Sequence, residues 1–433
     1  MAYKIGILTL GCRVNQYESS SLAKLLIQEG FSVSAFNSMC DAYIINTCTV
    51  TSESDRKSRQ AVRRARTKNP NALIVACGCS CQLSPSAFAN IGINGVFGTR
   101  NKLQCVKFIK ERLGTDLRGD EINVLDPSSL PYEKMNGAVT ERTRAYVKIQ
   151  DGCDGKCAYC AIKNARGASV SNDEETIIAE LKQLALDGFC EVVLTGIETS
   201  SYGLDTGSDL HTLVRKASEI DGIKRIRLGS LDPAYLKKEN AKSLLECEKL
   251  CPHFHLSIQS GSSRVLAAMR RKYNGEMLRR NIEDALSVSP DLRFSCDIIA
   301  GFPTETEYDL MQSAELLQKY PFLHAHVFPY SERQGTDAVH FDGAVPMAER
   351  KARGAYLDSL GRESLARLLQ NDVDTHRRHS VLFETYENGM LHGHSSDFTP
   401  VTADGPKTLK GKIANVTSES VNGGVLHGII EKE

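Results

Sequence analysis

The chain carries no net charge: 53 lysines and arginines are matched by 53 aspartates and glutamates over 433 residues. A global basic excess is therefore excluded as a source of nucleic-acid affinity, which has to come from local patches. Long apolar runs are missing too. No stretch reaches the roughly 20 residues that a membrane helix needs, so no membrane association is expected. Residues 1–10 hold a single lysine and an apolar run too short for the core of an export signal. Leu10-Gly11-Cys12 imitates a lipoprotein cleavage site but fails as one for the same reason. A cytoplasmic protein with reduced thiols is the expectation.

Against these absences stand 14 cysteines. Clustered thiols in a reducing compartment point to metal or redox chemistry. The length allows two or three domains. Residues 1–112 alternate apolar runs at 5–10, 42–46 and 72–76 with helical patterns, which predicts an α/β domain with a parallel sheet. Residues 113–140 lose that periodicity and gather Gly, Pro, Asp and Ser, a linker signal. In residues 141–375, strands are predicted at 145–149, 191–194, 225–228, 254–258, 294–299 and 326–328, with helices between them. These units are too few for an eight-stranded barrel, so an open partial (βα)6 barrel is predicted. Ser171 and Glu174 read as the capping box of one of its helices, and residues 347–371 as a charged helix. Residues 376–433 change to short β-like runs separated by turn residues, a small all-β domain.

The sharpest local signal is Cys153-Asp-Gly-Lys-Cys157-Ala-Tyr-Cys160, directly after a predicted strand. Three thiolates on a short loop can hold three irons of a 4Fe–4S cluster and leave the fourth iron open. An open iron suits S-adenosyl-L-methionine (AdoMet), which chelates through its amino and carboxylate groups. A zinc knuckle would need a fourth ligand nearby, and none is present. A second set is dispersed: Cys12, Cys48 and one of Cys77, Cys79 and Cys81 each follow a predicted strand. The C-terminal strand ends of an open parallel sheet share one edge, where such thiols can meet. Spacing does not choose among the last three, and core packing is an open alternative for the whole set. Cys40, Cys105, Cys190, Cys247, Cys251 and Cys296 lie in or beside apolar runs and read as core.

The chain resembles the radical AdoMet methylthiotransferases over nearly its whole length. TLGCRVNQYES, NTCTVTSESDRKSRQ, the cysteine loop, LTGIETSSYG, RIRLGSLDP, CPHFHLSIQSGS, DIIAGFPTETEYD and HVFPYSERQGT occur in family order. The resemblance implies an N-terminal methylthiotransferase domain, a radical AdoMet partial barrel and a C-terminal RNA-binding TRAM domain. It implies two 4Fe–4S clusters, one held by Cys153, Cys157 and Cys160 and an auxiliary one held by Cys12, Cys48 and Cys79. AdoMet would serve as both radical source and methyl donor. The wording is most similar to the MtaB-type branch, which converts N6-threonylcarbamoyladenosine at position 37 of tRNA to its 2-methylthio form. Sister branches act on isopentenyladenosine-37 or on an aspartate of a ribosomal protein. A reductant such as flavodoxin or ferredoxin and a sulfur donor are implied partners, with the anticodon arm of tRNA as substrate.

Further site residues follow from position. Tyr159 is expected against the cluster or the adenine of AdoMet, with core packing as the alternative. Gly196 and Glu198 follow one strand, and Ser257 and Gln259 end another on the same barrel edge, as candidate AdoMet contacts. Arg227 alternates with apolar neighbours and is expected to reach a carboxylate in the cavity, or to form an ion pair within the barrel. Arg56, Lys57, Arg59, Arg63, Arg64, Arg66 and Lys68 form a run without an acidic residue, a candidate RNA-phosphate face. Arg270, Arg271 and Lys272 are a second patch. Arg166, in the Arg-Gly pair that relatives carry after the loop, is a third candidate substrate contact. Rival readings are a radical enzyme whose N-terminal domain binds cobalamin, and a non-enzymatic iron–sulfur RNA-binding protein.

Overall fold

The first apolar runs become neighbours in one parallel sheet. The computed structural model describes residues 2–115, 120–137 and 143–431. Strands β1 (Lys4–Thr9), β2 (Ser32–Ala35), β3 (Ala42–Thr47), β4 (Leu73–Gly78), β5 (Gly95–Phe97) and β6 (Glu121–Asn123) lie in the order β2-β1-β3-β4-β5-β6. Every pair is parallel. Helices α1 (Arg13–Gln28), α2 (Ser52–Lys68), α3 (Cys79–Leu83) and α4 (Gln104–Arg112) complete the domain. Tyr17, Leu22 and Leu26 of α1 cover one face with α4, and Ala61, Val62 and Ala65 of α2 cover the other. All of β3 is accordingly buried, as parallel strands between two helical layers must be. The strand order reverses between β1 and β3, the point at which open α/β sheets bind ligands.

Residues 113–140, expected to be a linker, do more than connect. They supply β6 to the sheet edge, and residues 130–137 form a strap. Tyr17 Oη donates to the Met135 carbonyl (2.6 Å) and Tyr132 Oη to the Lys148 carbonyl (2.5 Å). The rest of that stretch, 116–119 and 138–140, lies outside the described residues.

The central region contains β7 (Arg144–Lys148), the short pair β8 (Gln150–Asp151) and β9 (Val170–Ser171), then β10 (Glu191–Thr195), β11 (Arg225–Leu228), β12 (His253–Gln259), β13 (Arg293–Ala300) and β14 (Phe322–Pro329). Strands β7, β10 and β11 form one parallel run and β12, β13 and β14 another. Bridges Ile226–Leu250 and Leu231–Leu256 join the two runs into an open barrel of parallel strands. Between strands lie α5 (Ile162–Arg166), α6 (Glu174–Leu186), α7 (Leu210–Ser218), α8 (Lys238–Leu245), α9 (Ser263–Ala268), α10 (Gly275–Val288) and α11 (Glu307–Lys319). Most of their apolar faces share one core with the strands. The cap of α6 is Asp173, whose side chain accepts from Thr176 N. Ser171 is not free for that role, because it pairs in β9 and its hydroxyl accepts from Gly203 N (2.9 Å).

Helix α12 (Met347–Asp374) packs along β14 and leads to a closed barrel of β15 (Arg378–Glu387), β16 (Met390–Ser395), β17 (Pro400–Asp404), β18 (Ile413–Asn422) and β19 (Val425–Ile430). The small barrel seals the N-terminal end of the central strands. Glu191, at the start of β10, pairs with Arg144 (2.8 Å), Arg225 (3.2 Å) and Arg227 (2.8 Å). Burial opposes its ionisation, but these guanidiniums outweigh burial and hold its pKa at about 2. Arg227 also donates to the carbonyls of Ser395 (2.6 Å) and Ser396 (3.0 Å), and Arg225 to that of Ser380 (2.5 Å). Phe398 stacks on His253, with ring centroids 4.9 Å apart. Arg227 therefore forms the ion pair within the barrel that the sequence offered as the alternative, because Nε and both terminal nitrogens of its guanidinium bond Glu191 or the C-terminal barrel. Among the described residues no helix is long and apolar enough to cross a membrane.

Candidate active site

Cys12, Cys48 and Cys79 stand at the C-terminal ends of β1, β3 and β4, beside the reversal of strand order. The surrounding motif residues set this edge. Asn15 Nδ2 donates to the carbonyls of Leu10 (2.6 Å) and Thr47 (2.9 Å), tying the ends of β1 and β3. Thr47 Oγ1 donates to the Cys77 carbonyl (2.7 Å), tying in β4. Gly11 has φ +98°, and a Cβ there would lie 2.7 Å from Cys48 Sγ. Gly78 has φ +100°, and its Cβ would lie 2.7 Å from the Thr47 carbonyl oxygen. Both positions need glycine. Burial, aided by the Cys79 and Cys12 thiols, pushes the Cys48 thiol up to about 11. Cys77 belongs to the apolar core with Cys105, and Cys81 to the core on the other face. Of the three closely spaced thiols, Cys79 is the one whose charge is felt by Cys48.

The second triad is built by its own loop. Gly155 N donates to Cys153 Sγ (3.2 Å) and Ile162 N to Cys160 Sγ (3.5 Å). Arg271 Nη1 lies 3.3 Å from Cys157 Sγ. A Cβ on Gly155 would sit 3.1 Å from Cys153 Sγ and 3.7 Å from Cys157 Sγ, so the loop folds around a space bordered by sulfur. Donors aimed at sulfur favour thiolates, which is what iron requires. Burial pushes the Cys160 thiol up to about 11, and the charges of Cys157 and Cys79 add to the rise. The two triads are thus close enough to sense each other.

One thiol of the first triad and all three of the second border one cavity of about 1030 Å³ at the C-terminal end of the central strands. Cys12 lines it from the N-terminal domain, and Cys153, Cys157 and Cys160 from the barrel. Gly196, Glu198, Ser257, Gln259 and Tyr159 line it as well. Glu198 Oε2 lies 2.9 Å from Cys153 Sγ, and its backbone N donates to Gln150 Oε1 (3.0 Å). A Cβ on Gly196 would meet Gln150 Oε1 at 2.7 Å, so the backbone there packs closely on Gln150. Tyr159 also packs edge-on against Phe302, with centroids 6.3 Å apart, so packing and cavity lining coexist. Position alone did not single out His255, Asp297 and His326, which meet inside the barrel with their ligand atoms within 4.8 Å of one another. Their inward alternation on β12, β13 and β14 was the available signal.

Arg166 is fully buried and is not an RNA contact. It donates to Glu18 (2.9 Å), Asp151 (2.9 Å) and Asn15 (2.6 Å) at the junction between the N-terminal domain and the barrel. Lys148 reaches the same two carboxylates at 3.2 Å each, and Lys102 pairs with Glu18. Three cations against two carboxylates leave one positive charge in a dry junction beside Cys79. Burial raises the Cys79 thiol, while Arg166 and Lys102 pull it down. That excess suits an anionic sulfur site at the auxiliary triad.

Arg271 is likewise not part of an RNA face. It bonds Asp232 (2.8 Å) and Cys157 within the cavity wall. Arg270 pairs with Asp337 and is half exposed at the cavity mouth. On α2, Arg56, Lys57, Arg63 and Arg64 are exposed and Arg59 is partly so. Arg56 pairs with Glu53 (2.5 Å), and Arg64 stands over Phe36. Arg66 departs from the set, turning inward to the carbonyls of Gly92, Pro70 and Ala72.

Residues 4–98 match the family model described as uncharacterized protein family UPF0004, and residues 147–317 match the radical SAM superfamily. These matches and the cysteine loop make the protein a radical AdoMet enzyme. The threonylcarbamoyladenosine tRNA methylthiotransferase MtaB of Thermotoga maritima is 36% identical, over 90% of this chain and 89% of the relative. Its namesake from Aquifex aeolicus is 36% identical over 95% and 99%. A tRNA-2-methylthio-N(6)-dimethylallyladenosine synthase from Thermotoga petrophila is 31% identical over 98% and 96%. A solved structure of the radical AdoMet methyltransferase TsrM from Kitasatospora setae shares the fold, with a TM-score of 0.55 at 15% identity, covering 89% of this chain and 79% of that one. The chain belongs to the radical AdoMet methylthiotransferase family and is a transferase.

Proposed function

We propose that the protein methylthiolates C2 of N6-threonylcarbamoyladenosine at position 37 of tRNA, giving the 2-methylthio product. The observation that carries this reading is that Cys12 of one thiol triad lines the same cavity as all three thiols of the other, since adding sulfur and methyl to an unactivated ring carbon needs both a radical source and a sulfur carrier at the same place. In this reading Cys153, Cys157 and Cys160 hold one 4Fe–4S cluster, and Cys12, Cys48 and Cys79 hold the auxiliary one. When bound, these clusters and AdoMet supply one-electron carbon–sulfur cleavage, a transferable sulfur and a methyl group.

The protein's own side chains do the rest. Gly196, Glu198, Ser257, Gln259 and Tyr159 bind and orient AdoMet at the strand ends. Val50 and Phe328 present apolar surface to the adenine from the cavity wall. The sealed barrel floor keeps bulk water from one end of the cavity, which protects a reactive radical. Residues 1–112 carry the auxiliary site, 141–375 the radical site and 376–433 an RNA-docking barrel. Arg56, Lys57, Arg59, Arg63 and Arg64 of α2, with Arg270 at the mouth, contact phosphates of the anticodon arm. A cytoplasmic reductant and a sulfur donor complete the cycle.

The test is anaerobic reconstitution with iron and sulfide, followed by AdoMet, reductant and tRNA bearing either threonylcarbamoyl- or isopentenyladenosine. A methylthio mass gain on the threonylcarbamoyl nucleoside alone supports the assignment. Gain on the isopentenyl form moves the protein to the sister branch. 5′-Deoxyadenosine without a gain on either overturns the tRNA reading.

A further inference from the structure

The cavity wall holds a cation that the chemistry above leaves unused. Arg13 follows Cys12 at the start of α1 and lines the cavity, half buried. Among the described residues it makes no hydrogen bond or ion pair. Asp297 is the carboxylate whose attraction it feels, but His255 Nε2 engages Asp297 at 3.1 Å. Other cavity cations are differently placed. Arg271 is taken by Asp232, and Arg270 by Asp337. Lys156, Lys163 and Lys272 line the cavity too but are exposed to solvent. A guanidinium partly withdrawn from water without a carboxylate bonded to it carries its charge at a cost. An arginine stays protonated regardless.

An uncompensated guanidinium inside a site asks for a planar anion. The threonylcarbamoyl group carries a carboxylate attached only a few bonds from the adenine ring. With C2 held near Cys12, that carboxylate has to lie within the same cavity. The isopentenyl group is a pure hydrocarbon and would leave the charge unpaired. We propose that Arg13 is the specificity-determining contact of the enzyme, pairing with the carboxylate of the threonylcarbamoyl group. This rests on the threonylcarbamoyl reading above. Discrimination then comes from the site more than from the ligand, since a buried polar group left without its partner penalises the wrong substrate.

The test compares two anticodon-arm RNAs, one with threonylcarbamoyladenosine and one with its neutral carboxamide, on the reconstituted enzyme, reading kcat and KM for each. The unaltered enzyme is expected to favour the acid by about 100-fold in kcat/KM. Arg13→Gln should level the two, to within about threefold, by losing rate on the acid alone. Arg13→Lys should restore part of the preference, because a point charge replaces the fork. Equal turnover of acid and amide by the unaltered enzyme overturns the proposal without any mutation. So does an Arg13→Gln loss of equal size on both RNAs, or a shift confined to the AdoMet concentration dependence, which would assign Arg13 to AdoMet. If the unaltered enzyme acts only on an isopentenyladenosine arm, the substrate reading itself fails, and that outcome is recognisable before any variant is made.

Discussion

Cys153, Cys157 and Cys160 come from a single short loop whose own backbone donates to sulfur. Cys12, Cys48 and Cys79 come from three separate loops and meet only because β1, β3 and β4 pair in register. The first set is local chemistry. The second is a product of topology, held by Asn15, Thr47 and two glycines of positive φ. The two kinds of site therefore fail differently: a loop tolerates small shifts of its domain, whereas a sheet-edge site inherits every error in strand register.

The largest expected effects separate the two triads by product. Cys153→Ala should abolish 5′-deoxyadenosine, by more than about 1000-fold, since AdoMet loses its cluster. The combined Cys12→Ala, Cys48→Ala and Cys79→Ala variant should lose methylthiolation to the same degree while still forming 5′-deoxyadenosine. Both products are measured in one reaction. Loss of 5′-deoxyadenosine in the triple variant would mean that the triads are not separable.

Glycine substitutions sharpen the same contrast. Gly11→Ala drives a Cβ against Cys48 and forces an unfavourable backbone. It should cost roughly half of the bound iron, one cluster of two. Gly155→Ala keeps an allowed backbone and meets sulfur at 3.1 Å, so its loss should be smaller. Iron and sulfide analysis of reconstituted protein checks both.

What could be read in advance follows the same division. The loop triad was legible because spacing alone defines it, and β3 and β4 of the N-terminal sheet because parallel strands buried on both faces are continuous apolar runs. That Cys77 and Cys81 belong to the core needed the fold, since β4 ends at Gly78 and the turn into α3 sends Cys77 to one core layer and Cys81 to the other. β16 was not anticipated: its sequence Met-Leu-His-Gly-His-Ser carries little hydrophobicity, and only closure of the barrel makes it a strand. Arg166 was misassigned, and Arg227 was left between two readings, for one reason. A sequence displays a cation but not the carboxylates that surround it, and here Glu18, Asp151 and Glu191 come from elsewhere in the chain.

Those two arginines also set up the next comparison, between the two domain junctions. Arg166→Met removes a guanidinium that bonds Glu18, Asp151 and Asn15 at once and leaves Lys148 and Lys102 to serve two carboxylates in a dry interior, so it should cost about 3–5 kcal/mol. Arg227→Met leaves Glu191 with Arg144 and Arg225, so the loss should be about 1–3 kcal/mol. Denaturant unfolding of each variant measures the difference. Equal losses would mean that the junctions are not distinguished by redundancy.

The upper junction also has a pH dependence. Burial raises the Glu180 carboxyl to about 7, though Gly137 N donates to it (3.1 Å) and Tyr17 Oη, whose hydrogen goes to the Met135 carbonyl, lies 3.2 Å away. A carboxyl raised in the folded state binds a proton that the unfolded chain releases near pH 4. Its contribution is therefore fully present below that pH and is lost as pH rises through about 7. Glu180→Gln should flatten this decline between pH 5 and 8, worth roughly 2–3 kcal/mol at the upper end. Thermal melts across that range check it.

The smallest effect concerns the outer face of α2, the mildest counterpart to these buried networks. Arg63 and Arg64 are exposed, and a helix rising about 1.5 Å per residue carries them away from Cys48 toward a second stretch of backbone. Their charges act through phosphates, which position RNA without reading its bases. Replacing both with alanine should weaken tRNA binding several-fold at low salt and lower the slope of log affinity against log salt by about 0.7 for each lost contact. Turnover at saturating tRNA should change little. Arg66→Ala provides the control, since its guanidinium serves Gly92, Pro70 and Ala72 inside the domain. It should lower stability and leave the salt slope unchanged, because an arginine already saturated by carbonyls has no charge-assisted donor left for a phosphate.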